Sequence, residues 1–327
     1  MKAIRRISKR YYVRQILSCF LVCYMLFGIP VRMAQATPTN PQVVAGSAGI
    51  NQNGNTTTVN MNSSKAVINW DSLDTMQSEV LQFIKASGSF AALNRVLQGG
   101  ATHFDGSLLA NRGHIIIVNP HGLIFGPTSV VHAQQLTAST LDIMNDDFMS
   151  GTYKFVLGDG MGSVENYGNI SAEQVALIGQ RVLNAGVISS PGGYVLMAAG
   201  DTVYLGQEGS DVVVEVSSVT VPENPTMEGI GDVINEGTID ASAGDVVLAA
   251  GDTYSRAIDG LDKMSVAVDS GIGRVGQFGE INVDGIDGDG GTINLAAADV
   301  VSIGPDSTMS ANAGANGDGG DIVTYSP

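Results

Sequence analysis

The chain has 327 residues, of which 42 are glycine, 44% are hydrophobic and only 15% are charged, a composition typical of a folded protein rather than a disordered one. Seven of the 16 basic residues and none of the 32 acidic residues lie in the first 36 positions, so residues 37–327 carry a net charge of −23. A surface this acidic repels phosphate backbones and anionic lipids, which argues against nucleic-acid binding and against membrane attachment through basic patches.

Residues 1–36 have the pattern of a secretory signal peptide. A basic region over residues 1–15 precedes an apolar stretch at 16–31, and Ala34-Gln35-Ala36 provides a small-x-small cleavage site. A retained membrane anchor is the alternative, favoured by the length of the basic region. Both cysteines, Cys19 and Cys23, belong to this segment, so the mature chain is predicted to hold no disulfide.

Residues 42–140 are less repetitive than the rest of the chain and are predicted to form a cap. They contain the only tryptophan, Trp70, and all four histidines. Residues 78–97 place some apolar side chains at helical spacing, but Ser87 and Gly88 interrupt the pattern, so strands and turns are expected there.

Residues 151–327 are internally repetitive. Residues 184–202 match residues 235–253, with about half of the positions identical. Short β-branched runs bounded by Gly, Asn, Asp and Ser predict short strands joined by tight turns. The step from Asn166 to Asn184 is the length of one coil of a parallel β-solenoid, and the longer step from Asn184 to Asn235 is expected to hold two or three coils with an inserted loop.

Recurring asparagines at the start of an Asn-x-Gly-x-Ile motif predict a structural ladder. Asn and Gly both tolerate left-handed backbone conformations, and stacked Asn amides can bond to the coils above and below. The four candidates for the ladder are Asn111, Asn166, Asn184 and Asn235.

Several motifs of residues 42–148 occur in a recognisable order. They are Val67-Ile-Asn-Trp70, Ala92-Leu-Asn-Arg-Val96, Gly99-Gly100, Gly106-Ser-Leu108, Ala110-Asn-Arg-Gly113, Val118-Asn-Pro-His-Gly-Leu-Ile-Phe-Gly126 and Leu136-Thr-Ala-Ser-Thr140. In this order and spacing they resemble the N-terminal secretion domain of two-partner secretion exoproteins of the filamentous haemagglutinin type. The family pattern usually has Asn-Pro-Asn-Gly where this chain has Asn119-Pro120-His121-Gly122, and the Asn, Pro and Gly that remain fit a type I turn.

The resemblance implies an all-β fold, a right-handed parallel β-helix (solenoid) with an N-terminal β cap. Residues 37–150 would form the cap and core of the secretion domain, and residues 151–327 would continue the solenoid. The general secretory machinery would carry the chain to the periplasm of a Gram-negative bacterium. Periplasmic domains of a partner outer-membrane transporter would then recognise it and pass it to the medium or the cell surface. The residues that the resemblance marks as needed for secretion, through recognition or through the fold, are Asn94, Arg95, Asn119, Pro120, His121 and Gly122.

The expected protein is an adhesin-like exoprotein with no catalytic residues and no cofactor, and a host or cell-surface receptor remains open as a partner. Two alternatives are a carrier of a toxin or cytolysin that lies downstream, and a secreted β-helix polysaccharide lyase. The lyase is disfavoured because three basic residues (Arg256, Lys263, Arg274) stand against 21 acidic ones from Glu208 onward, a balance that repels acidic polysaccharides.

No metal site is predicted. His103, His114, His121 and His132 have no Cys partner and form no His-Glu-x-x-His motif, so they are interpreted as turn and surface residues. The glycine- and aspartate-rich segments 158–162 and 287–291 are interpreted as acidic corners of solenoid coils, with calcium binding left open.

Overall fold

The computed structural model describes residues 37–207, 213–217, 229, 231–251, 253–256, 266–268 and 272–327. The predicted signal peptide, with Cys19 and Cys23, lies outside these described residues. Within them, no helix has the length and apolar character needed to cross a membrane.

Strands dominate the regular structure, as expected. The first part of the chain forms β1 (Gln42–Asn53), β2 (Thr56–Trp70), β3 (Val80–Ile84), β4 (Phe90–Val96), β5 (Thr102–Phe104), β6 (Ser107–Val118), β7 (Leu123–Phe125), β8 (Val130–Ser139), β9 (Asp142–Ile143) and the helix α1 (Asn145–Ser150). The next part forms β10 (Thr152–Val156), β11 (Ser163–Asn166), β12 (Asn169–Ser171), β13 (Gln174–Gly179), β14 (Arg181–Asn184), β15 (Val187–Ser189), β16 (Tyr194–Ala199), β17 (Thr202–Gln207) and β18 (Val213–Ser217). The last part forms β19 (Asp232–Asn235), β20 (Thr238–Asp240), β21 (Asp245–Ala250), β22 (Thr253–Arg256), β23 (Val266–Val268), β24 (Arg274–Gln277), β25 (Glu280–Asn282), β26 (Thr292–Ala297), β27 (Val300–Ile303), β28 (Thr308–Ser310) and β29 (Asp321–Tyr325).

Successive coils stack in register to form a parallel β-helix. Among the described residues the main sheet has 16 strands, and β8, β13, β16, β21, β26 and β29 follow one another in it as parallel neighbours. The second sheet has 7 strands in the order β5, β7, β11, β14, β19, β24 and β27. The chain alternates between the two sheets, so it advances one coil at a time.

The interior of the coils is a continuous apolar core. On β16, Val195, Met197 and Ala199 belong to the interior cluster, whereas Leu196 and Ala198 belong to a cluster on the opposite face of the main sheet. Because this strand is buried on both faces, its sequence is a continuous apolar run instead of an alternation of apolar and polar residues.

The internal repeat of the sequence is the stacking register of the helix. Ile188 pairs with Ile239, and Met197 pairs with Leu248. The expectation that one repeat holds two or three coils is wrong, because β16 pairs directly with β21 and the whole repeat therefore forms one coil. Much of the extra length is an excursion that forms β17 and β18 outside the helix.

This excursion contributes to an outer layer, which consists of α1 and the six-stranded sheet of β9, β10, β17, β18, β22 and β23. The pairs between these strands are antiparallel. The outer layer packs on the main sheet through a second core in which Leu93 and Ile116 join Phe148, Phe155 and Val203.

The N-terminal end is closed by β1, which pairs antiparallel with β2 and is largely exposed. Residues 78–97 form β3 and β4, which confirms the prediction of strands and turns in that segment. Ser150 is the last residue of α1, which lies in the outer layer, and the main sheet continues from β8 to β13 across this point.

Candidate functional site

Residues Asn119–Gly122 form a hydrogen-bonded turn at the end of β6. The Gly122 N–H donates to the Asn119 carbonyl at 3.0 Å, and the His121 N–H donates to Asn119 Oδ1 at 3.0 Å. Gly122 has φ +129°, and a Cβ at this position would lie 3.0 Å from the Cβ of Ala101. The predicted turn is therefore present, and the glycine is required by both its backbone conformation and its neighbour.

Neighbouring coils hold this turn from both sides. Asn119 is fully buried, and its Nδ2 donates to the Gly100 carbonyl at 3.0 Å and to Thr102 Oγ1 at 2.9 Å. On the following coil, the Gly162 N–H donates to the Pro120 carbonyl at 2.9 Å. The His121 side chain is left exposed to solvent.

Asn94 lies inside the helix rather than on its surface. Its Oδ1 accepts a hydrogen bond from Trp70 Nε1 at 3.1 Å, and its Nδ2 donates to the Ala92 carbonyl at 3.1 Å and the Ile116 carbonyl at 3.2 Å. The side chain thus connects three adjacent main-sheet strands, β2, β4 and β6. A buried indole N–H needs such an acceptor, because an unpaired buried donor costs about 1–3 kcal/mol.

Arg95 projects from the opposite face of β4 and ties the outer layer to the main sheet. Its Nε donates to Asp142 Oδ1 at 2.8 Å, one Nη donates to the Ile143 carbonyl at 2.6 Å, and the other donates to Asn145 Oδ1 at 3.0 Å. The guanidinium therefore fixes the segment that leads from β9 into α1. Lysine could not make this set of bonds, because they use three nitrogens in a planar fork.

The two motifs meet at one edge of the main sheet. Arg95 pairs with Val118, which immediately precedes the turn, and Val118 pairs with Ser139. The Asn119 N–H also donates to the Ser139 carbonyl at 3.0 Å. Asn94, Arg95 and the turn 119–122 therefore share one corner of the first coils, although the two motifs are well separated in sequence.

The recurring asparagines form a continuous row inside the second sheet. Asn166 Nδ2 donates to Asn184 Oδ1, Asn184 Nδ2 donates to Asn235 Oδ1, and Asn235 Nδ2 donates to Gln277 Oε1, each at 2.8 Å. All four side chains are fully buried. The repeated-asparagine pattern of the sequence does not include Gln277. The signal that could have found it is Gln277-Phe278-Gly279, which repeats the Asn-x-Gly motif with glutamine in the first position.

Asn111 does not belong to this row. It lies in the middle of the main-sheet strand β6 and is exposed. The register position that precedes Asn166 in the second sheet is instead filled by Phe125, which pairs in turn with Phe104. The two rings lie 6.0 Å apart, so the row changes from aromatic to amide side chains between two coils.

A glycine stands two residues after each amide of the row, but not for the expected reason, which was a left-handed backbone. Gly168, Gly186, Gly237 and Gly279 do not have positive φ, nor do the asparagines of the row. A Cβ on Gly186 would lie 2.3 Å from the Gly168 carbonyl oxygen, and one on Gly237 would lie 2.1 Å from the Gly186 carbonyl oxygen. These turns need glycine because successive coils approach closely there, and the expectation of left-handed backbone is wrong.

Within the described ranges, no group of three or more His, Cys, Asp or Glu side chains could hold a metal ion. His114 bonds Thr137 at 2.9 Å and contacts the ring of Tyr153 at 5.3 Å, whereas the side chains of His103, His121 and His132 are exposed. In the segment 287–291, Asp289 Oδ1 accepts the Asp318 N–H at 2.8 Å. This carboxylate thus holds a turn of the following coil.

Comparison with known proteins assigns this architecture to a family. The model of the TPS (two-partner secretion) secretion domain matches residues 34–303. The chain belongs to the TPS secretion domain family. It is a secreted exoprotein domain of the kind that directs export through a partner transporter.

Relatives of this TPS domain come from Haemophilus influenzae. A heme/hemopexin-binding protein is 30% identical over 233 residues, which are 68% of this chain and 24% of that protein. A second heme/hemopexin-binding protein is 33% identical over 98 residues, which are 30% of this chain and 10% of that protein. The chain thus spans about a quarter or less of the length of the curated relatives it matches.

Two solved structures share the fold. The HMW1 secretion domain from Haemophilus influenzae aligns with a TM-score of 0.66 at 25% identity, covering 88% of this chain and 72% of that one. The filamentous hemagglutinin secretion domain aligns with a TM-score of 0.50 at 16% identity, covering 88% of this chain and all of that one. The all-β parallel helix predicted from the resemblance is confirmed.

Proposed function

We propose that the corner formed by Asn94, Arg95 and the turn 119–122 carries the recognition of this domain by the periplasmic domains of its outer-membrane transporter. The convergence of the two motifs on one edge of the main sheet is the observation that supports this proposal. Each motif alone could be explained by local turn and strand geometry. Their meeting through the Arg95–Val118–Ser139 register gives them one surface area that a partner could contact.

The residues of this corner divide into two roles. Asn94 and Asn119 are buried and fully engaged in hydrogen bonds, so they act through the fold and position their neighbours. His121 is exposed, Pro120 is partly exposed, and the Arg95 side chain retains 14% of its exposure. Contacts with the folded domain would therefore fall on Arg95, Pro120 and His121.

Export itself is driven by the order in which the coils fold. The coils that the transporter recognises in the periplasm open before passage, because the chain crosses the outer membrane unfolded. Each coil that then forms outside packs on the previous one and opposes backsliding. Nearest-neighbour stacking supports such directional growth, because a coil needs only its predecessor to bury its apolar side chains. The absence of cysteine after residue 36 suits a chain that crosses unfolded.

The exported protein is proposed to be a surface adhesin or structural exoprotein without catalytic activity, displayed on or released from a Gram-negative cell. The named relatives are heme/hemopexin-binding proteins rather than enzymes, which supports the non-enzymatic assignment. Their binding function belongs to whole proteins of which the matched segments are 24% and 10%. Carriage of a downstream toxin remains the alternative role of the same domain.

The first experiment measures the protein in the medium of a Gram-negative host with and without a candidate partner transporter. Export that requires the transporter supports the proposal, and export that is indifferent to it contradicts the proposal. Purified protein that released unsaturated product from a panel of glycans would instead establish a lyase.

Matched variants separate recognition from folding. We expect His121→Ala to lower the exported amount several-fold at an unchanged melting temperature, because the side chain is exposed and the substitution keeps the backbone groups that hold the turn. His132→Ala, another exposed histidine on a nearby coil, is the control and should be exported normally. Equal export of both variants would remove His121 from the recognition surface.

A second pair tests the arginine. Arg274→Ala is the control, because it also removes an Arg–Asp ion pair, the one at 2.7 Å to Asp232, but at a site far along the helix. Arg95→Ala should reduce export more than this control does. Equal effects of the two substitutions on export would indicate that only stability matters at Arg95.

A further inference from the structure

A cavity of about 440 Å³ lies between the main sheet and the outer layer, away from the corner described above. Its floor is the outward face of the main sheet, where His114, Gln135, Gln174 and Tyr194 occupy successive strands in one register. Tyr153 of β10 and Leu205 of β17 contribute from the outer layer. The cavity is thus a cleft with polar groups on one wall and an aromatic and an aliphatic side chain on the other.

The floor of this cleft breaks the apolar pattern of the sheet face. On successive strands, the neighbouring outward register position holds Leu93, Ile116, Thr137, Ala176 and Leu196, and all of these except Thr137 belong to the core shared with the outer layer. In the adjacent register, the His114 imidazole contacts Thr137 and the Tyr153 ring, whereas the amides of Gln135 and Gln174 and the phenol of Tyr194 line the cleft. Burial of a polar group without a partner is costly, so the buried hydroxyl of Tyr194 calls for a hydrogen-bonding occupant, whereas His114 and Gln135 are partly exposed and Gln174 is exposed.

Tyr194 shows this need directly. Its hydroxyl oxygen is buried, and among the described residues no partner for it is present. Burial raises the pKa of this phenol, so the hydroxyl stays protonated and can both donate and accept a hydrogen bond. A molecule that enters the cleft can supply the missing partner.

The charges of the lining select the class of molecule. Among the described residues that line the cavity, Lys65 carries the one charged side chain. Its ammonium already donates to the Phe148 carbonyl at 3.3 Å and lies 5.9 Å from the Phe148 ring. The other polar side chains of the lining are glutamine amides, hydroxyls and an imidazole, which can both donate and accept hydrogen bonds. Such a wall favours a neutral ligand with many hydroxyl groups over a phosphate or a carboxylate.

From these observations we infer that the cleft between the main sheet and strands β10 and β17 is a binding site for a neutral mono- or disaccharide. The hydroxyls of the sugar would bond to Gln135, Gln174 and Tyr194, and its apolar C–H face would lie against Tyr153. The volume of the cleft is within the range of pockets that hold small molecules. This site is independent of export, so its failure would leave the proposed function untouched.

Saturation-transfer NMR on the exported protein tests the inference, with glucose, galactose, mannose, N-acetylglucosamine and lactose as neutral probes and glucuronate and sialate as charged ones. We expect at least one neutral probe to bind at millimolar concentration and the charged probes to bind more weakly. Tyr194→Phe should weaken the neutral probe about tenfold, the loss of one good hydrogen bond.

The tyrosine substitution also controls for folding. Removing a buried hydroxyl that has no partner should leave the melting temperature equal or higher, so lost binding could not be attributed to unfolding. Tyr167→Phe, whose hydroxyl donates to Glu165 at 2.9 Å on the second sheet, is the matched control and should bind the probe normally. The inference is overturned if no neutral probe binds, if the charged probes bind better, or if Tyr194→Phe binds as well as the original chain.

Discussion

The first coils and the later coils satisfy their buried amides in different ways. In the first coils, Asn94 bonds an indole and two backbone carbonyls, and Asn119 bonds a carbonyl and a hydroxyl, so each amide has its own set of unlike partners. In the later coils, Asn166, Asn184 and Asn235 each donate to the amide of the next coil. The domain therefore joins a region in which each buried amide has its own specific partners to a region in which the same amide contact repeats from coil to coil.

The two regions should therefore respond differently to substitution. A contact made by unlike partners depends on one residue type at one place, whereas a row of like partners depends on spacing between coils. Stability of repeat structures is close to a sum of nearest-neighbour terms, so damage in the later coils should remain local to a coil and its neighbours.

The largest effect is expected from a charge in the repeated interior. Ile188→Asp places a carboxylate where the side chain is fully buried in the stacked core, and we expect a loss of about 4 kcal/mol or more of unfolding free energy. Val187→Asp, on the exposed face of the same strand, should cost less than about 0.5 kcal/mol. Urea unfolding measures both, and similar midpoints would show that the interior of the coils tolerates charge.

The next effect tests the spacing of the coils. Gly237→Ala would place a methyl group 2.1 Å from the Gly186 carbonyl oxygen, so the backbone must shift, at a cost of about 2–3 kcal/mol. Gly158→Ala has no neighbour within 4 Å and should be nearly neutral. If both variants melt at the same temperature, close approach of the coils does not determine the glycine at this turn.

The smallest effect compares the two kinds of amide directly. Asn184→Gln should cost less than about 1 kcal/mol, because Gln277 already fills one position of the row, whereas Asn94→Gln should cost about 2 kcal/mol by crowding Trp70 and misplacing its acceptor. The exposed Asn111→Gln should leave the melting temperature unchanged. Equal melting temperatures for Asn94→Gln and Asn184→Gln would contradict the proposal that the amides of the first coils are less tolerant of substitution than those of the later coils.

Repetition is also what made the later coils predictable. The offset between the two matching segments of the sequence is the pairing register of β15 with β20 and of β16 with β21, and the asparagines at positions 166, 184 and 235 come together because identical coils superimpose identical residues. Periodicity carries no information about segments that leave the helix. The 51-residue repeat is one coil with an insertion in the outer layer, but its length alone predicts two or three coils.

The first coils could be anticipated only in part. Motif order indicated which residues matter, but not that Asn94 is internal and Arg95 external, since that depends on which face of β4 meets the helix interior. Asn111 shares the motif of the ladder asparagines yet lies on a main-sheet strand, and Gln277 lacks the asparagine yet occupies the row. Contacts between residues far apart in sequence, such as Arg95 with Asp142, leave no periodic signal.

The buried amide row has a direction and two closed ends. Each nitrogen points to the oxygen of the next coil, so the amide dipoles align head to tail and each bond polarises the next. At one end, Asn166 Oδ1 accepts the Gly168 N–H at 3.2 Å, and at the other, Gln277 Nε2 donates to the Gly279 carbonyl at 3.0 Å. Any coil that carries an amide at this position offers both a donor and an acceptor. A coil can therefore be inserted between the two ends, or removed from between them, and every amide of the row still has a hydrogen-bond partner. The row is thus a connector of variable length, through which such solenoids can change their number of coils without exposing an unpaired polar group.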